Sequence, residues 1–115
     1  TMAAYREAFD PLPGISLFAV DPAERSNHQY VVALVDDPGR RDAVVDALHG
    51  AGILARKYFW PGVHRMKPYA DLPCGQVRLP HTDAVAARVV VLPTGPKVTA
   101  RDVDVVAATI GKVLT

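Results

Sequence analysis

The chain has few of the features that would place it outside a reducing compartment or in a membrane. Cys74 is the only cysteine among 115 residues, so an internal disulfide bond is excluded. No apolar run reaches the length of about 18 residues that spans a bilayer, and no basic segment followed by an apolar stretch opens the sequence. The 13 basic and 12 acidic residues are interspersed, which leaves no broad cationic surface for nucleic acid or an anionic membrane. The composition predicts a cytoplasmic protein that binds neither.

The motifs of the common nucleotide and metal sites are also missing. Gly50-Ala51-Gly52 ends a predicted helix instead of opening one, and no Gly-Lys-Ser or Gly-Lys-Thr phosphate loop is present. The possible metal ligands show neither i, i+4 spacing nor a Cys-x-x-Cys pair, so we predict no metal site. These ligands are His28, His49, His64, His81 and Cys74.

Half of the residues are hydrophobic, which is enough for one small domain over residues 1–115 with its own core. Apolar spacing predicts a first helix with Met2, Tyr5 and Phe9 on one face. A last helix is opened by a capping box of Thr99 and Asp102. Two further helices are predicted, one from the Asp-Asp-Pro start at 36–38 to about Gly50, and a short one over 84–88 after Thr82-Asp83.

Runs of β-branched and aromatic residues predict the strands. They cover 15–20, 29–35, 53–60 and 89–92. We therefore expect an α/β (α+β) fold, a two-layer sandwich in which helices pack on a small, mainly antiparallel sheet of three to four strands.

One segment, residues 56–69, combines cationic side chains, an imidazole and four aromatic rings at a strand end and in a loop rich in proline and glycine. Cations bind phosphates, aromatic faces stack on rings, and Tyr and His hydrogen-bond to hydroxyl groups, so the segment suits a polar, anionic ligand. The alternative is structural: Tyr58 and Trp60 pack on one strand face while the cations are solvated.

The motifs of this segment and their order resemble the C-terminal small domain of the DegT/DnrJ/StrS aminotransferases. The resemblance runs from about Tyr5 to Leu114 and includes Leu-Pro-Gly-Ile at 12–15, the Tyr-x-x-Pro-x-x-His loop at 58–64 and the closing Thr-x-x-Asp-Val helix at 99–103. Members of this family are pyridoxal-phosphate-dependent and mostly aminate nucleotide-linked keto-sugars. The resemblance implies a homodimeric parent enzyme whose large domain, outside this chain, carries the cofactor and the Schiff-base lysine.

The same resemblance implies that this chain has no catalytic residue and contributes contacts to the substrate. It places Tyr58 and His64 first among the residues facing the sugar, with Arg56, Lys57 and Tyr69 as further candidates. His28 and Tyr30, at the opening of their strand, would border the entrance. No lysine of the chain matches the sequence around the family's Schiff-base lysine, so no cofactor is expected on this chain alone.

Two functions from different classes follow. The first is a C-terminal domain or fragment of a sugar aminotransferase, inactive by itself. The second is a free-standing module that binds a small molecule or another protein and has no enzymatic activity. If the first holds, we expect apolar surface on the first helix and its neighbours to be left exposed for another domain.

Overall fold

The computed structural model describes residues 2–18, 30–57 and 60–114. Its helices are α1 (Met2–Phe9), α2 (Arg41–Gly50), α3 (Pro80–Ala86) and α4 (Ala100–Leu114), and its strands are β1 (Ile15–Leu17), β2 (Val31–Val35) and β3 (Val89–Leu92). Short 3-10 turns cover Pro38–Arg40, Val63–Arg65, Tyr69–Asp71 and Pro73–Gln76. No helix in the described ranges is long and apolar enough to cross a membrane.

The three strands form an antiparallel sheet in the order β1-β2-β3. Ile15 of β1 pairs with Val35, and Val31 at the other end of β2 pairs with Leu92 of β3. Because side chains alternate between the two faces of a strand, Val31, Ala33 and Val35 turn the same way and are buried together. The run predicted to form a central strand does so.

Helices α1, α2 and α4 pack together and against the sheet, which confirms the predicted α+β sandwich. Tyr5 and Phe9 are buried in the core with their rings edge to face, the centroids 5.7 Å apart. The hydroxyl of Tyr5 donates a 2.6 Å hydrogen bond to the carbonyl oxygen of Pro93, which follows β3. The face of α1 that carries Tyr5 and Phe9 is therefore covered within the chain, by α4.

The helix ends follow the local rules read from the sequence. The amide of Thr99 donates to Asp102 Oδ2 at 2.8 Å and the amide of Asp102 donates to Thr99 Oγ1 at 3.2 Å, which is the predicted capping box. Asp37 accepts a 2.8 Å hydrogen bond from the amide of Gly39 and opens the 3-10 turn before α2. α2 ends at Gly50, as expected.

The strand predicted over 53–60 is mostly absent from the described part of that range. Between residues 53 and 57 the backbone pairs only at Arg56, which forms an isolated bridge with Val91 of β3. A β-rich sequence makes a strand only where a neighbouring strand is available, and here the pairing is limited to one residue. Residues 58 and 59 lie outside the described residues, as do 19 and 20 at the end of the first predicted strand.

The short third helix begins earlier than predicted. It covers Pro80–Ala86 instead of 84–88, because Pro80 fits the first turn of a helix, where its missing N–H is not needed. Thr82 and Asp83 are therefore inside the helix, and Asp83 does not cap it. The side chains of Thr82 and Asp83 instead face the Val63–Arg65 turn.

Candidate functional site

A cavity of about 600 Å³ lies between the Val63–Arg65 turn and helix α3. The turn supplies one wall, and the first two turns of α3 supply the other. Its lining is mostly apolar, with two imidazoles and one hydroxyl as the polar groups. The lining residues are Gly62, Val63, His64, Leu79, His81, Thr82, Val85 and Ala86.

Gly62 allows the turn to approach this closely. Its backbone has φ +109° and ψ +143°, a conformation that side-chain-bearing residues rarely adopt. A Cβ atom on Gly62 would come within 2.8 Å of His64 Cε1 and 3.0 Å of His64 Nδ1. The absence of a side chain at position 62 therefore provides the space in which the imidazole lies.

His64 is buried, with 9% of its surface exposed. Its Nε2 lies 3.3 Å from Arg65 Nε, which donates to it, and 3.6 Å from Asp83 Oδ1. Arg65 in turn binds Asp83 Oδ2 through Nη2 at 2.9 Å. His64 Nδ1 is buried and makes no hydrogen bond within the described part of the chain. Because Nε2 accepts from Arg65, the ring hydrogen lies on Nδ1, and an unpaired N–H at a cavity is suited to donate to a hydroxyl-bearing ligand.

The other residues predicted for the site do not line this cavity. Arg56 is exposed and forms the bridge to Val91, and Lys57 Nζ binds Asp42 Oδ1 at 2.9 Å. Tyr69 is about half exposed on its own 3-10 turn. Tyr30 is exposed just before β2.

Two predicted residues, Tyr58 and His28, lie outside the described residues. Sequence reasoning missed His81 and Thr82, which the early start of α3 brings to the cavity. A proline recognised as the first residue of a helix would have placed both on the first turn.

Behind the cavity lies a buried cation, Arg41, which composition did not suggest because charged residues are rarely buried. Its Nη1 donates to the carbonyl oxygens of Ala86 at 2.6 Å and Val89 at 3.3 Å, and its Nε donates to Asp42 Oδ1 at 2.9 Å. The guanidinium carbon lies 4.8 Å from the centroid of the Trp60 ring. The sequence indicates this burial only through spacing, because position 41 shares a helix face with the buried residues 44, 45 and 48.

Asp42 accepts from two cations at once. The hydrogen bond from Lys57, and then that from Arg41, lower the pKa of the Asp42 carboxyl below its ordinary value. The carboxylate is therefore ionised at neutral pH and supplies the negative charge beside Arg41. Among the described residues no group of three or more His, Cys, Asp or Glu side chains could hold a metal ion.

Comparison with known proteins relates this chain to a family. The model of the DegT/DnrJ/EryC1/StrS aminotransferase family matches residues 1–111. The chain belongs to this aminotransferase family. Its fold and its motif order thus agree with the resemblance read from the residues.

Relatives within the DegT/DnrJ/EryC1/StrS family cover most of the chain. The dTDP-4-amino-4,6-dideoxy-D-glucose transaminase of Escherichia coli is 36% identical over 92 residues, which are 77% of this chain and 25% of that protein. The crystal structure of DesI in the presence of its TDP-sugar product superposes with a TM-score of 0.88 and 38% identity, over 99% of this chain and 29% of that one. The chain therefore spans about a quarter to three-tenths of these relatives.

A more distant solved structure shares the fold. The Helicobacter pylori aminotransferase PseC superposes with a TM-score of 0.84 at 17% identity, over 98% of this chain and 30% of that chain. Such a distant likeness shows that the α+β arrangement is kept when most side chains differ.

Proposed function

We propose that the chain is the C-terminal small domain of a pyridoxal-phosphate-dependent aminotransferase that acts on a nucleotide-linked keto-sugar. The observation that carries the proposal is the superposition on DesI, with 38% identity over 99% of this chain and only 29% of that structure. DesI was crystallised with its TDP-sugar product, and the E. coli relative is a transaminase of a dTDP-linked sugar. A nucleotide-sugar substrate is the chemistry that both descriptions share.

The cavity beside His64 supports a role on the substrate side. Sugars present several hydroxyl groups, and the imidazoles of His64 and His81 and the hydroxyl of Thr82 are the polar groups that line it. Of the residues proposed to contact the substrate, His64 is the one that the geometry favours. Tyr58, Arg56, Lys57 and Tyr69 remain proposed contacts because the family resemblance includes them in the same segment of sequence as His64.

The lysines support assigning the cofactor to another part of the enzyme. Pyridoxal phosphate reacts through a lysine amine that is free to bond to it and is surrounded by groups that tune the ring. Lys57 is bound to Asp42, and Lys67, Lys97 and Lys112 are exposed. None of the four lines the cavity. These residues do not fit a cofactor site, so we assign cofactor and catalysis to the large domain of the same enzyme.

The surface around the 3-10 turns supports docking on that large domain. Eight of the twelve exposed large apolar side chains in the described residues lie between Trp60 and Val85. Such clustering is unusual for a surface that faces only water. We propose that the large domain covers it in the homodimeric parent enzyme.

Sequencing the gene on the 5′ side of the codon for Thr1 tests the proposal. The expected result is one open reading frame that carries a lysine-bearing large domain. The whole product should then show the absorbance of lysine-bound cofactor and transfer an amino group to a dTDP-linked keto-sugar, while this chain alone should do neither. A stoichiometric lysine-bound cofactor on this chain would overturn the assignment. A stop codon directly upstream would instead favour a free-standing binding module.

A further inference from the structure

Arg41 is buried more completely than any other charged residue in the described part of the chain. Only 2% of its surface is exposed, although it lies at the first position of α2 next to exposed Arg40. Burying a guanidinium is costly unless its donors find partners and its charge is balanced. Its burial therefore points to the partners that it holds.

Apart from Asp42, the next residue on α2, those partners lie in two other parts of the chain, at residues 86–89 and at Trp60. Nη1 bonds to the last residue of α3 and the first residue of β3, Ala86 and Val89. Nε bonds to Asp42 on α2, and the planar face lies against Trp60. A planar group with donors in a fixed fork can make these contacts together, whereas a lysine ammonium cannot both stack and fork.

Two of these contacts lead directly to the candidate site. Ala86, whose carbonyl oxygen accepts from Arg41, lines the cavity beside His64. Trp60 lies two residues before Gly62 in the sequence, and Gly62 is the first residue of the cavity wall. One guanidinium thus holds both the helix and the turn between which the cavity lies.

A second connection runs through the carboxylate. Asp42 Oδ1 accepts from Arg41 Nε and from Lys57 Nζ, each at 2.9 Å. Lys57 and Trp60 flank the pair 58–59 in the sequence, so the Arg41-Asp42 pair anchors the chain on both sides of Tyr58.

We propose that Arg41 is a positioning residue for the candidate site, setting the distance between the Val63–Arg65 turn and helix α3 through Ala86 and Trp60. Only its consequence for sugar binding rests on the function proposed above.

The first test compares Arg41→Met and Arg41→Lys with the matched Arg40→Met variant in the 115-residue chain. Trp60 is the only tryptophan, so fluorescence emission reports on its ring alone. Under conditions where circular dichroism shows native helix content, both Arg41 variants should shift the Trp60 emission and the NMR signals of the His64 ring. Arg40→Met should shift none of these, and His49 at the far end of α2 should keep its signals in every variant. A folded Arg41→Met chain with wild-type His64 signals would overturn the proposal, because Trp60 touches the guanidinium and changes in any case, whereas a residue that only adds stability would leave the His64 ring unchanged.

If the Arg41 variants do not fold, Asp42→Asn supplies the second test. Asp42 is exposed, and its replacement loosens both Lys57 and the Arg41 Nε contact. The Trp60 indole and His64 ring signals should shift in Asp42→Asn but not in Asp46→Asn, an exposed carboxylate one turn farther along α2. Unchanged signals in both variants would refute the positioning role.

The consequence for binding is measured in the intact aminotransferase. Arg41→Lys should raise KM for the nucleotide sugar more than it lowers kcat, with a combined loss of about tenfold or more, since displacing a contacting group by 1 Å can cost a factor of about 100. Arg40→Lys should leave both constants unchanged. If the His64 signals shift but KM is unchanged, Arg41 positions the cavity but the cavity does not bind the sugar. Unshifted signals would refute the Arg41 proposal whatever the gene encodes.

Discussion

At the scale of single residues, Gly62 decides whether His64 can lie where it does. We expect Gly62→Ala to destabilise the chain by about 1 to 3 kcal/mol, because its backbone conformation is strained for alanine and the new methyl group would overlap the imidazole. Urea unfolding measures the loss, and the His64 NMR signals should move with it.

Gly50→Ala is the matched control. Gly50 ends α2, has no atom within 4 Å of the added methyl position, and is not among the residues with positive φ. Its replacement should leave stability unchanged or raise it by up to about 1 kcal/mol. An equal loss in the two variants would show that the Gly62 conformation is not what makes alanine unfavourable there.

Tyr5 provides a prediction about alkaline pH. Burial, and then the charge of Asp102, raise the pKa of the Tyr5 hydroxyl to about 12 from its ordinary value of 10.0. The folded state thus holds this proton more tightly than the unfolded state. The stabilisation is complete below pH 10 and is lost as pH rises through about 12.

Measured by urea unfolding, the advantage of wild type over Tyr5→Phe should therefore shrink by about 2 to 3 kcal/mol between pH 9 and pH 12. Tyr69→Phe, at a half-exposed position, is the control for removing a tyrosine hydroxyl elsewhere on the chain. A pH-independent difference between wild type and Tyr5→Phe would contradict the raised pKa.

At the scale of secondary-structure elements, the capping box makes α4 sensitive to acid. The hydrogen bond that Asp102 accepts from the Thr99 amide lowers the pKa of the Asp102 carboxyl below 3.8. A lowered carboxyl pKa stabilises the fold above its unfolded-state pKa, and this contribution disappears as pH falls through the folded-state value.

We therefore expect Asp102→Asn to be less stable than wild type at pH 7 and the two to converge below pH 3.8. Thermal unfolding followed by circular dichroism, at pH 7 and below pH 3.8, measures the stability of the variant and of wild type. Asp104→Asn, an exposed carboxylate on the same helix outside the box, separates the cap from general charge effects. Convergence in the Asp104 variant alone would refute the assignment to the cap.

The elements that the sequence predicts well are those with local causes. The Thr99-Asp102 box and the apolar stripe after it define α4 without reference to the rest of the chain. The strand predicted over 53–60 is mostly absent from the described residues 53–57 because strand formation depends on a partner, and in that range β3 pairs only with Arg56.

The residues of the candidate site divide in the same way, into those predicted from a local motif and those that only the folded chain brings together. His64 is predicted from a motif that is contiguous in the sequence, and its contact with a substrate stays a prediction. His81 and Arg41 were missed because only the folded chain brings them to residues far from them in sequence. A buried cation in particular is visible in the sequence only as an interruption of an apolar face.

At the scale of the whole molecule, the apolar surface between Trp60 and Val85 predicts association when no other domain covers it. We expect sedimentation velocity to show self-association of the 115-residue chain at high concentration. Leu72→Asp with Val77→Asp should weaken it by about tenfold or more, since each buried apolar side chain contributes about 1.5 to 3 kcal/mol.

Leu54→Asp with Val105→Asp provides the matched control. Both residues are exposed and apolar but lie outside the segment from Trp60 to Val85. This pair of substitutions should leave association unchanged. A monomer at every concentration would count against docking through the surface between Trp60 and Val85.

The packing of α1 on α4 also bears on how the protein is made. Tyr5 and Phe9 leave the ribosome about a hundred residues before Val103, Val106 and Ile110 of α4, which complete the same core. The contacts that stabilise the fold thus join distant parts of the sequence, which slows folding and leaves early apolar residues uncovered during synthesis. Until α4 has been synthesised, the nascent α1 is therefore a segment that chaperones can bind.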